Sequence, residues 1–132
     1  MHDYADAAER HFLSANAVLT AHPATASHCY GIAAECVLKA LMSNLQPQDK
    51  RVSGKHIGDN LWAEFANHQT LQTHPSRVAG AIKYQSGFNG WDVGQRYLSR
   101  MSAEFAGAKV SAQHQSARGL LGLLQLVQRG LA

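Results

Sequence analysis

At 132 residues the chain has room for one domain, long enough to bury about two thirds of its unfolded surface. Hydrophobic residues at 45% against 16% charged suit a globular protein in water, and no window approaches the roughly eighteen uninterrupted apolar residues that mark a membrane span. The net charge of +3 permits anionic partners, but the basic residues form no dense local cluster of the kind that argues for nucleic acid on charge alone.

Alanine, leucine and glutamine are plentiful and β-branched runs are scarce, which favours helix throughout. A first helix is expected from Asp3 to about Ala21. Tyr4, Ala8, Phe12, Ala15 and Leu19 form its apolar stripe, Val18 lies beside it, and Asp3 is its N-cap. His22-Pro23 ends it, because the residue before proline is pushed out of the helical region. Thr25 or Ser27 then caps a central helix running to about Asn44, packed antiparallel on the first. Cys29, Ile32, Ala33, Cys36, Val37, Ala40 and Leu41 recur at three- and four-residue steps, so this helix is apolar on most sides and belongs at the centre of a bundle. The polar run Gln46–Lys55 reads as an exposed loop. A third helix is expected over Ile57–His68, a shorter piece over Arg77–Gln85, and a loop over Ser86–Asp92 with its Asn89-Gly90 turn signal. Helix resumes over Val93–Phe105. A last helix over Val110–Arg129 turns Ala117, Leu120, Leu121, Leu124 and Val127 inward, with Leu123 and Leu126 widening the stripe. The expectation is a single all-α domain over residues 1–132, an up-down bundle of four main helices with shorter pieces.

Few residues in this plan could do chemistry. Glu35 and Lys39 stand four apart on the central helix and share a face. A mostly buried helix must pair such charges. His56 and Asp59 open the third helix, and Arg96-Tyr97 follow Trp91. The two cysteines, seven residues apart on one helix, are separated by roughly 10 Å along its axis. Disulfide partners need Cα atoms within about 7 Å, so these are expected as reduced, buried thiols. No paired cysteine or histidine spacing suggests a metal site, no glycine-rich phosphate loop carries a lysine, and no serine-hydrolase elbow is present. No cofactor is expected. The start Met1-His2-Asp3-Tyr4 lacks the features of a secretory signal, and a cytoplasmic location is expected.

The run Gly31-Ile-Ala-Ala-Glu-Cys-Val-Leu-Lys-Ala-Leu41, the histidine opening the next helix and Trp91-x4-Arg96-Tyr97 together resemble the HEPN-like helical proteins of prokaryotes, over roughly residues 5–128. The resemblance implies a four- to five-helix bundle that commonly dimerises. It also implies an association with RNA or nucleotides: some members are ribonuclease toxins, others non-catalytic partners or modules beside nucleotidyltransferases. The ribonuclease branch carries an arginine, four to six residues and a histidine at its last helix. Here Arg118 and Arg129 are followed by no such histidine, and His114 precedes Arg118. The spacing occurs instead at Arg51 and His56, ahead of the third helix. Two readings follow. The first is a non-catalytic binding or interaction module associated with RNA or nucleotides or with a toxin–antitoxin type system, in which Glu35, Lys39, His56, Asp59, Arg96 and Tyr97 form either a structural polar network, with Glu35 paired to Arg96, or a ligand-binding one, with Lys39 and Arg96 as anion contacts. The rival is a metal-independent endoribonuclease with Arg51 or Arg96 and His56 or His114 meeting across a homodimer.

Overall fold

The computed structural model describes residues 1–94 and 108–132. Within them the chain is all-α: α1 (Tyr4–Val18), α2 (Pro23–Met42), α3 (Leu61–Asn67), α4 (Pro75–Ile82) and α5 (Ala108–Gln128), with 3-10 turns at Gln69–Thr73 and Gln85–Phe88. The described residues form no strand, only an isolated antiparallel pairing of His2 with Gln48. None of their helices is long and apolar enough to cross a membrane. Most of the helix expected over residues 93–105 lies outside the described residues.

Asp3 caps α1 by accepting from the Asp6 amide at 3.1 Å, and Ala8, Phe12 and Ala15 face inward as their spacing predicts. The α2 N-terminus differs from expectation. Pro23 takes the first turn, where its fixed φ fits and its missing amide hydrogen would have no partner, so neither Thr25 nor Ser27 is a cap. Ser27 is fully buried in the second turn and donates its hydroxyl to Gln113 Oε1 of α5. Tyr30 donates to Asn16 Oδ1 at 2.6 Å and packs on Phe12, which sets α1 antiparallel to α2. Ser27–Gln113 joins the N-terminal ends of α2 and α5. Arg77 reaches both Asn44, just past α2, and Ala132, just past α5, so these two helices run the same way.

The core lies along α2, in which Tyr30, Ala34, Leu38 and Leu41 are fully buried, and it continues into α3 through Leu61, Trp62 and Phe65. On α5, Ala117, Leu120, Leu124 and Val127 are buried, but Leu126 is 39% exposed, because it lies on the side of the helix away from α2. The third helix starts at Leu61 rather than Ile57. His56–Asp59 closes a turn, with the Asp59 amide donating to the His56 carbonyl at 2.9 Å, and Asn60 takes a left-handed φ of 74° that helix cannot continue through. The short piece begins at Pro75 and ends at Ile82, and part of the expected loop beyond it is a 3-10 turn.

Candidate functional site

The segment between α2 and α3 is long and polar, yet it is tied down at several points. The His2 and Gln48 backbones pair, the Val52 amide donates to the Tyr4 hydroxyl at 3.1 Å, and Ser53 Oγ donates to Glu64 Oε2 of α3 at 2.9 Å. Lys55 lies 3.9 Å from the same carboxylate. These ties deliver His56 to the side of α2.

There Glu35 uses both carboxylate oxygens. Oε2 accepts from Lys39 Nζ at 3.1 Å, and Oε1 accepts from His56 Nδ1 at 2.9 Å. Glu35 and Lys39 are each 6% exposed, whereas the His56 side chain is 37% exposed and closes over the pair. The carboxylate fixes the His56 tautomer with its proton on Nδ1. The backbone amide of His56 is held in turn by Asp59 Oδ2 at 3.2 Å. His11 of α1 lies within electrostatic reach of Glu35. Burial and the Arg10 charge push its pKa below the ordinary histidine value, and Glu35 opposes them. Cys36, next along α2, is pushed up to about 12, mainly by burial and then by the Glu35 carboxylate. Both cysteines are free, with Cys36 buried and Cys29 half-buried where full burial was expected.

A second fastening stands two turns earlier on α2. Trp91 donates its indole N–H to the Ser27 carbonyl at 2.9 Å and stacks on His28 at 5.9 Å. Its ring fills the space that a side chain at Gly31 would occupy, and its carbonyl would lie 2.5 Å from a Cβ at Gly58. Trp91 is thus clamped between α2 and the turn that His56 opens. Beyond that turn lies an open groove of about 600 Å³, walled by Ile57, Trp62, Phe88 and Trp91.

Of the residues singled out from the sequence, Glu35, Lys39, His56 and Asp59 converge in this way. Arg96 and Tyr97 lie outside the described residues, and so does the expected Glu35–Arg96 pair. Arg51 is exposed in the loop, with no hydrogen bond or ion pair to His56 among the described residues. His114 sits in an aromatic cluster instead, 5.6 Å from the Phe12 ring and 5.4 Å from that of Tyr30. The part played by Trp91 and the two glycines against it went unread in the sequence. Gly31 was the available signal, a residue of poor helix propensity in the middle of the most apolar helix.

Comparison with protein-family models, curated proteins and solved structures finds no match to this chain.

Proposed function

We propose that the chain is a non-catalytic, HEPN-like binding module that associates with RNA or nucleotides or with a toxin–antitoxin type system, as a homodimer or beside a partner protein such as a nucleotidyltransferase. The observation that carries this reading is the closure of the Glu35 network. Both carboxylate oxygens are taken internally, and Lys39 is buried against them. A general acid or base must reach a substrate proton, and a phosphate-binding cation must reach solvent; Glu35 and Lys39 do neither. They act as a brace that holds the 56–60 turn against α2. What stays open beside the brace is a groove with no charged side chain among its described lining residues, which suits recognition better than proton transfer.

One observation favours the rival endoribonuclease. The His56 ring is more than a third exposed, its Nδ1 is held by a buried carboxylate, and its Nε2 has no partner among the described residues. That is the arrangement in which a carboxylate orients a histidine base. Purified protein incubated with mixed RNA in EDTA, beside His56→Ala and Arg96→Ala, separates the two. The expected result is RNA that stays intact while a labelled oligonucleotide binds with salt-dependent affinity. Cleavage that disappears in a folded His56→Ala variant would establish the enzyme instead, and failure to bind any RNA or nucleotide would overturn the association.

A further inference from the structure

The groove beside Trp91 has a composition that selects a ligand chemistry. None of the described side chains that line it is charged, and the nearest described charge is the Lys109 ammonium at its rim, 3.4 Å from where a Cβ at Gly90 would lie. Its apolar wall includes Trp62 and Trp91, which are 6% and 3% exposed and therefore fixed in place. Its described polar side chains are three exposed carboxamides, Asn60, Gln85 and Asn89, arriving from two different segments of the chain. A carboxamide presents a donor and an acceptor side by side, and two such groups satisfy an edge that alternates donor and acceptor. That edge is characteristic of purine and pyrimidine rings, which asparagine and glutamine bind in pairs of hydrogen bonds. Asn60 is further fixed by its left-handed backbone at the head of α3, which sets where its side chain leaves the main chain. The volume of about 600 Å³ falls within the range of about 300–1,000 Å³ that small-molecule clefts occupy.

We infer that this groove is a binding site for an uncharged, planar nitrogen heterocycle of nucleobase type, held by the Asn60, Gln85 and Asn89 carboxamides against the Trp62–Trp91 wall. The inference rests on the proposed association with RNA or nucleotides for its choice of nucleobases among such rings; the groove chemistry itself stands apart from it. The His56–Glu35 brace then has a role at a distance, since it positions the turn that supplies Ile57, Gly58 and Asn60.

Both tryptophans of the chain line the groove, so intrinsic fluorescence, corrected for ligand absorbance, reports its occupancy directly. The probes are adenosine, guanosine, cytidine and uridine, titrated into the full chain, with ribose alone as the control. At least one nucleoside is expected to change the emission saturably at millimolar concentration or below, and ribose is not. Ala63 is exposed and lines the groove, so Ala63→Phe fills the site from its rim without disturbing the core. It should weaken binding by about tenfold or more, as should Asn89→Leu, with circular dichroism and melting confirming that both variants fold. No saturable change with any nucleoside, or a change that persists undiminished in folded Ala63→Phe, overturns the site. An RNA oligonucleotide in the same variants separates the two claims. RNA bound equally by wild type and Ala63→Phe preserves the module and removes the groove. Nucleosides held at the groove without affinity for RNA keep the groove and remove the RNA association.

Discussion

An ammonium at Lys39 that is 6% exposed needs a counter-charge, and Glu35 supplies it at 3.1 Å. Glu35→Gln keeps the shape of the side chain but strands the lysine and weakens the hold on His56. A loss of about 2–4 kcal/mol in unfolding free energy is expected, measured by urea denaturation. Replacing both partners together, as Glu35→Leu with Lys39→Met, should recover much of that loss, because the buried charge goes with its partner. A Glu35→Gln midpoint equal to wild type would show that the brace holds nothing. Cys36 makes a pH-dependent prediction. The unfolded thiol ionises near 9.0, whereas the folded one stays protonated to about 12, so between these values the unfolded state binds fewer protons. Stability attributable to this group is therefore complete below pH 9 and falls by about 1.4 kcal/mol per pH unit above it. Cys36→Ala should flatten the alkaline limb of a stability–pH curve by that slope. The same burial should make Cys36 slower than Cys29 toward a thiol reagent at pH 8 in the native protein.

Among the elements, α5 offers a test of packing against propensity. A Cβ at Gly122 would meet nothing within 4 Å, while one at Gly119 would run into the Tyr84 ring. Gly122→Ala should therefore raise stability by about 0.5–1 kcal/mol through helix propensity alone. Gly119→Ala should lower it unless Tyr84 swings aside, at a cost of about 1–3 kcal/mol. Thermal unfolding of the two variants side by side reads the difference, and equal shifts would show that Tyr84 yields freely. The elements also divide by how far they could be read from sequence. The α1 stripe and its Asp3 cap rest on contacts within one or two turns, so spacing revealed them. The start of α3 could not be read, because it depends on His56 meeting Glu35 twenty-one residues earlier and on the left-handed Asn60, both set by tertiary contact. Leu126 fits the apolar period of α5 as well as Leu124 does; only the neighbours of the helix decide which is covered.

On the scale of the whole molecule, the charged residues of α2 were legible as a problem that needed a partner, and the described partners of Glu35 are Lys39 and His56, while the expected Arg96 lies outside the described residues. The groove was not legible, since its carboxamides sit in stretches that read separately as a helix start, the end of a short helical piece and a surface turn. It exists because Trp91, fixed to α2, and the 56–60 turn, fixed by Glu35, share one scaffold. Those two fastenings meet α2 at the Ser27 carbonyl and the Glu35 carboxylate, two turns apart.

The bond from Trp91 goes to main chain, so what it demands of α2 is phase rather than a particular side chain. One extra residue placed between Gly31 and Glu35 would turn everything after it by about 100° relative to everything before it. The indole seat and the carboxylate would then point in different directions, and no change of rotamer could realign them. An alanine inserted there should abolish cooperative unfolding, whereas the same alanine inserted after Gly54, where a Cβ meets open space, should shift the melting temperature little. Length, not composition, is what this stretch of α2 cannot change.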